Sequence, residues 1–280
     1  MKTFIALIAP SIFCIIFIVT GCSDKSAINI PTGSPEIGVV LSGGHTDLVV
    51  DYKGLIATTL NYNEYDEEKG CFIIKEPESR CVNIDQTVLS RENGVNFIYA
   101  LENGTMLDEN MEKITAHAYL GTLKFYKFEL LNDKNLKIVA ESETEGCGPF
   151  GSPCSGDTYK VGNGPELGWV VSTGDMHQGY AGSSLSAYAV FNKKIASILT
   201  VQTSFSDAGA FRDDVPGATV TEMSTRITTL PSGSEKFYDL EVVVRDEQRA
   251  PIFSTILKFD SKTNTYDSKA VAKIYEGLEY

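Results

Sequence analysis

Three histidines, at 45, 117 and 177, are the residues of the chain best suited to proton transfer or metal ligation. His45 follows Ser42-Gly43-Gly44 and precedes Asp47, so a hydroxyl, an imidazole and a carboxylate lie close together. That is the inventory of a hydrolytic relay. Neighbours so close on one chain, however, form a turn with an Asx-type hydrogen bond, and no G-x-S-x-G elbow occurs. His117 lies on an apolar or alternating stretch and reads as a core or rim residue. His177 has the richest surroundings, because Asp175, Gln178 and Tyr180 accompany it on a glycine-flanked stretch downstream of Trp169. Carboxylate, imidazole, amide and phenol on a loop between strands form a candidate binding loop, since β-scaffolds carry binding groups there. The plain alternative is a polar hairpin. No pair of histidines has H-x-H or H-x₃-H spacing, which argues against a metal shared among them. Asp207 with Asp213 and Asp214 offers oxygen ligands for calcium, but a solvated acidic loop accounts for the same residues. The sequence therefore assigns no catalytic set, no metal and no cofactor.

A different chemistry is written at the start. Met1-Lys2-Thr3 supplies one positive charge, residues 4–19 are almost wholly apolar, and the run closes at Val19-Thr20-Gly21-Cys22. This is the layout of a secretory signal. An uncleaved membrane helix is disfavoured by Pro10 in mid-run and by Ser23-Asp24-Lys25 after the run, which is no basic anchor. The closing V-T-G-C resembles the lipobox of bacterial lipoproteins. The resemblance covers only this segment and implies that residues 1–21 are removed and that Cys22 becomes a lipidated N-terminus, palmitate among its acyl chains. By the sorting rule of such lipoproteins, Ser23 rather than Asp after the Cys favours the outer over the inner membrane.

With Cys14 in the signal and Cys22 lipidated, Cys71, Cys81, Cys147 and Cys154 remain of the six cysteines. An even number in an exported chain argues for disulfides, with three connectivities open. The local pairs Cys71–Cys81 and Cys147–Cys154 are favoured. A four-cysteine zinc site is disfavoured, because neither pair has C-x₂₋₄-C spacing.

The composition is that of a globular chain, 42% hydrophobic and 22% charged, with 24 basic against 37 acidic residues and a net charge of −13. Loss of Lys2 makes the mature chain more negative still. Such an excess discourages binding to polyanions, so nucleic acid is excluded as a partner.

The elements that must position these residues read as strands. Residues 22–36 are rich in Ser, Pro and Gly and form a tether, with a root-mean-square span of about 20 Å. Residues 37–280 form the β-rich globular region. Strands are expected at 37–41, 47–50, 55–60, 71–75, 95–101, 123–130, 136–140, 159–161, 169–173, 185–191, 195–203, 220–229, 237–245 and 252–259, with turns at Tyr52-Lys53-Gly54 and Asn93-Gly94. A hairpin is expected across residues 246–249 and a turn within 259–266. Residues 108–118 fit a helix or a strand. The tail carries Ala270, Val271, Ile274, Tyr275 and Leu278 at helical spacing behind Ser268, which predicts a short helix. Many strands with few helices mean an all-β fold. The expected form is a β-sandwich-like arrangement with room for two β-rich subdomains divided near 147–165; a small or partial β-propeller is the alternative. The block containing Gly168-Trp169, Gly174 and Gln178-Gly179-Tyr180 resembles a pattern in secreted bacterial proteins that carries no activity with it.

These features lead to an expected function: a cell-envelope lipoprotein, anchored through Cys22 with its globular part in the periplasm or at the surface, with a non-enzymatic binding or scaffold role toward a protein or envelope component. The alternatives are an inhibitor or immunity protein against a secreted hydrolase, and an envelope hydrolase using His45 with Asp47 or His177 with Asp175.

Overall fold

The structure, a computed structural model, describes residues 52–75, 77–116, 119–132, 135–210, 220–231 and 236–276. In chain order its elements are α1 (Lys53–Thr59), β1 (Tyr65–Asp66), β2 (Cys71–Ile74), β3 (Arg80–Glu92), β4 (Val95–Met106), β5 (Thr122–Asn132), β6 (Asn135–Glu141), β7 (Glu145–Gly146) and β8 (Ser155–Lys160). They continue with β9 (Leu167–His177), β10 (Tyr180–Phe191), β11 (Lys194–Ser206), β12 (Glu222–Leu230), β13 (Asp239–Arg245), β14 (Pro251–Leu257), β15 (Phe259–Asp260), β16 (Thr265–Tyr266) and α2 (Lys269–Tyr275).

Turn chemistry sets the main hairpins. Asn93-Gly94 takes positive φ at both residues (50° and 87°), and so do Gln178-Gly179 (49° and 89°) and Asn192-Lys193 (46° and 68°). Two-residue loops of this kind twist in the sense that antiparallel strands require. They join β3 to β4, β9 to β10 and β10 to β11 in register, with Glu92 opposite Val95, His177 opposite Tyr180 and Phe191 opposite Lys194.

The strands run in the order β1-β2-β3-β4-β5-β6-β11-β10-β9-β8, with β12, β13 and β14 continuing from β11. All the main pairings are antiparallel except β6 with β11, a single parallel bridge between Glu141 and Lys194. At that corner the sheet passes from one layer to the next, so hydrogen bonding is continuous while packing is layered. The all-β expectation is met in sandwich form. One continuous strand order in place of separate blades rules out the propeller.

Among the described residues, three large apolar clusters hold the layers together, and a smaller one surrounds Cys71, Ile73, Cys81 and Leu107. Between β4–β5 and β9–β10 lie Tyr99, Leu101, Leu123, Phe125, Trp169 and Tyr188. Trp169 has no exposed surface, and its ring centroid is 5.3 Å from that of Tyr99 and 5.4 Å from that of Phe125. On the outer face of the first sheet, Ile56 of α1 packs on Ile84, Ile98, Ala100, Tyr126 and Phe128. On the far face of the second sheet, Ala187, Leu199 and Val201 meet Ile227, Val242, Val244 and, from α2, Val271 and Tyr275. Both faces of β4, β5 and β10 are thus covered, and each strand feeds two cores.

Two expectations require correction. Residues 55–60 are not a strand; they belong mainly to α1, and Lys53 and Gly54 open that helix where a turn was expected. The β-branched residues that suggested a strand are accommodated because the Thr58 and Thr59 hydroxyls donate back to the carbonyls of Gly54 and Leu55 at 2.9 and 2.8 Å. Only Ile56 and Ala57 are buried, too few for a helical period to show. The second correction is β3, a thirteen-residue strand that no expected segment covers. The described part of 108–118 is neither helix nor strand beyond a bridge between Leu107 and Lys113. The expected strands at 37–41 and 47–50 lie outside the described residues.

The other elements fall close to where the sequence places them. The 246–249 turn closes with the Asp246 N–H donating to the Ala250 carbonyl at 3.1 Å, and α2 follows Ser268. Both disulfides, Cys71–Cys81 and Cys147–Cys154, are formed as the local pairs.

Candidate functional site

Strand β9 carries one face from the core into solvent. Leu167, Trp169 and Val171 on that face are buried, and two-residue periodicity then brings Thr173, Asp175 and His177 onto the same side. Beyond Val171 the first sheet no longer covers them, and a half-open cavity of about 360 Å³ lies there. Cavities holding small ligands are about 300–1,000 Å³.

The cavity is polar along its strands. Register aligns Thr173 of β9, Ser184 of β10 and Gln202 of β11 in one cross-strand row, with the Thr173 hydroxyl donating to the Ser184 hydroxyl at 3.4 Å. One step further out, Asp175 stands opposite Gly182. All five residues line the cavity, together with Gly174, His177 and Ser183. A bulge falls here: Ser183 pairs with Ser204 and Ser184 with Gln202, so Thr203 is the extra residue. Bulges bend a strand and re-aim its side chains. The Ser183 hydroxyl shares hydrogen bonds with those of Thr203 (2.9 Å) and Ser204 (2.5 Å), which ties β10 to β11 at the bulge. The Asp175 Oδ1 accepts the Met176 N–H at 2.8 Å.

The opposite wall comes from Leu120, Gly148 and Pro149. Residues 147–154 are clipped by Cys147–Cys154 and held to the preceding segment by the Cys147 N–H donating to the Gly121 carbonyl (2.7 Å) and the Gly151 N–H to the Tyr119 carbonyl (2.7 Å). Gly151 is obligatory: its φ is +71°, and a Cβ there would stand 2.0 Å from the Ile114 carbonyl oxygen. In contrast, Gly182 keeps space open. A Cβ on it would have nothing nearer than the Ser204 carbonyl oxygen at 3.8 Å and the Gln202 Nε2 at 3.9 Å.

Of the residues expected to form a binding loop, Asp175 and His177 line the cavity. They do so from strand β9, because only Gln178 and Gly179 make the turn. Trp169 lies in the core on the same strand face, and Tyr180 packs toward Phe205, 6.3 Å between ring centroids; neither lines the cavity. Asp207 accepts the Thr221 N–H on Oδ1 at 2.6 Å and thereby closes the β11–β12 connection. Cys22, Ser42, His45, Asp47, His117, Asp213 and Asp214 lie outside the described residues. Among the described residues, no three His, Cys, Asp or Glu side chains are grouped to hold a metal ion.

Two buried polar clusters escaped the sequence reading. Lys127 pairs with Glu92 at 2.6 Å, while the Tyr99 hydroxyl donates to the other Glu92 oxygen and accepts the Leu167 N–H at 3.2 Å. This cluster fastens the start of β9 to the first sheet. Beneath α1, the Tyr62 and Tyr126 hydroxyls both donate to the Glu102 carboxylate. Burial pushes the Glu102 carboxyl above the usual carboxylate range, and burial followed by the Glu102 charge pushes both phenols well above theirs. Charged residues inside strands give no sequence signal of burial, because only the partner strand reveals it.

A comparison with known protein families finds no matching family. Comparisons with curated proteins and with solved structures likewise find no match.

Proposed function

We propose that this chain is a lipid-anchored binding protein of the bacterial cell envelope, tethered through Cys22, and that it holds an envelope component in the cavity of β9, β10 and β11. The observation that carries the reading is the construction of the cavity. Its polar groups stand on three hydrogen-bonded strands, its far wall is clipped by a disulfide, and a β-bulge braced by the Ser183, Thr203 and Ser204 hydroxyls bends the strands beneath it. Groups held this way are ordered before a ligand arrives, which lowers the entropic cost of binding. The V-T-G-C segment and the disulfides support an exported, anchored chain.

The test has two parts. Labelled palmitate is expected to enter the wild-type chain and not Cys22→Ala, which leaves the membrane fraction. Wild-type protein incubated with solubilised envelope is expected to retain a component that Gly182→Val, with its cavity filled, does not. Equal retention by both proteins contradicts the assignment of the cavity.

The placement of Asp175 and His177 on one wall favours a second reading, an envelope hydrolase using that pair. Turnover of an envelope ester, peptide or glycan that His177→Ala abolishes supports it; turnover unchanged by that substitution removes it.

A further inference from the structure

We infer that the ligand of this cavity is a neutral saccharide of one or two rings, an inference that rests on the binding role proposed above.

Charge comes first. Among the described residues that line the cavity, Asp175 is the only acidic one and none is Lys or Arg; His177 stands beside it. A carboxylate at the site and a chain of net charge −13 repel phosphates, sulfates and uronates. A hard divalent cation requires about six or more oxygen ligands, several of them charged, and a single carboxylate does not supply them.

Hydrogen-bonding character narrows the choice. Thr173 and Ser184 bring hydroxyls that both donate and accept, Gln202 brings an amide with a donor and an acceptor end, and Asp175 a carboxylate that only accepts. A lining with so many two-way groups matches a ligand whose own groups are two-way. Sugar hydroxyls are of that kind. A carboxylate accepts a hydroxyl hydrogen more strongly than a neutral acceptor does. Neighbouring strands are about 4.8 Å apart, so the Thr173–Ser184–Gln202 row runs about 10 Å across three strands, long enough to follow a ring edge and reach a second unit.

Shape supplies the last step. A pyranose has polar edges and C–H faces, and this cavity opposes a polar strand floor to a wall carrying Leu120 and Pro149. Tyr119 and Phe150, the chain neighbours of Leu120 and Pro149, are 47% and 48% exposed, and their segments are joined by the Gly151-to-Tyr119 backbone bond. Apolar surface opposite a polar floor seats a sugar ring by its face while the floor reads its hydroxyls. Gly182, opposite Asp175, leaves the room: a Cβ there meets nothing closer than 3.8 Å.

The experiment titrates the purified, disulfide-intact full chain by calorimetry. The probes are neutral hexoses, N-acetylhexosamines and their disaccharides, with glucuronate, inorganic phosphate and an alkyl diamine as comparators. At least one neutral saccharide is expected to bind saturably, tenfold or more tighter than glucuronate. Gly182→Val is expected to abolish the binding and Gln202→Ala to weaken it about tenfold, with unchanged thermal midpoints. Asp175→Asn is expected to narrow the gap between the neutral saccharide and glucuronate. No binding by any neutral saccharide, tighter binding of phosphate or glucuronate, binding of the diamine alone, or saccharide binding that survives both Gly182→Val and Gln202→Ala overturns the inference. The two levels fail separately. An envelope component retained only with the cavity open, yet containing no carbohydrate, overturns the saccharide and leaves the binding role; no cavity-dependent retention overturns the binding role itself.

Discussion

Replacing Lys127 with Met tests how the candidate site is held, because Lys127 is the cation of the cluster that fixes the start of β9. Its ammonium lies 2.6 Å from Glu92 Oε2, and the two side chains are 8% and 7% exposed. It also lies 4.3 Å from the Phe97 ring centroid and 5.0 Å from that of Tyr99. Removing the cation leaves Glu92 buried beside the Tyr99 hydroxyl alone, and breaking a buried pair in this way costs about 3–5 kcal/mol. For a folded region of this size each kcal/mol lowers the melting temperature by about 2–4 °C, so a fall of about 6–20 °C is expected. The double variant Lys127→Met/Glu92→Gln removes both charges while the Gln carbonyl still accepts the Tyr99 hydroxyl. It is expected to recover most of the loss, giving a coupling of about 2 kcal/mol or more. Urea denaturation of wild type, both single variants and the double variant measures this cycle. Single-variant costs below about 1 kcal/mol that simply add are the behaviour of an exposed pair. That result refutes the buried cluster and its role in fastening β9.

Three other outcomes are expected. Cys147→Ser/Cys154→Ser removes the clip on the cavity wall; in the chain-entropy account it costs about 2.5 kcal/mol, and saccharide affinity falls more than it does in the matched Cys71→Ser/Cys81→Ser variant. Tyr62, Tyr99 and Tyr126 have phenols raised by burial, so the folded state holds their protons more tightly than the unfolded chain does. Their stabilisation is therefore full below the ordinary phenol value of about 10 and is lost as pH rises above it, and ultraviolet phenolate absorbance for these groups should appear only together with loss of circular dichroism; complete titration near that value in a still-folded chain contradicts their burial. Trp169→Phe preserves the core ring and is expected to leave ligand affinity within about twofold of wild type, because Trp169 lies in the core and not in the cavity; a tenfold loss of affinity at unchanged stability refutes that placement.

What the sequence reveals and what it hides follow from the same layering. Asn93-Gly94, the 246–249 turn, the two cysteine pairs and the helix behind Ser268 are legible because each is a local device, decided by a few adjacent residues. Strand β3 is not. Asn83, Asp85, Gln86, Ser90 and Arg91 interrupt both of its phases, and its apolar residues divide between cores, with Ile84 under α1 and Val88 toward the inter-sheet core. A strand that serves two cores loses the alternation by which a half-buried strand is recognised. Helix α1 hides for a different reason: seven residues with two buried side chains carry too short a period.

The candidate site is divided in the same way. Asp175 and His177 stand out by residue type, and the structure keeps both at the cavity. Thr173, Ser184 and Gln202 look like ordinary strand residues until register aligns them, and Leu120 and Pro149 arrive from a separate segment. Trp169 misleads because strand periodicity places it on the face of Asp175 while the first sheet covers it. Residue type finds a site's polar edge; register and layer packing supply the rest.

The most direct measurement is amide chemical-shift mapping of the full chain during titration with the tightest-binding saccharide. The account predicts saturable shifts concentrated at Thr173, Gly174, Asp175, Gly182, Ser183, Ser184 and Gln202 and at Gly148 across the cavity, with the β12–β14 layer unmoved. Shifts that are absent at saturating saccharide, or that centre away from β9–β11, contradict it.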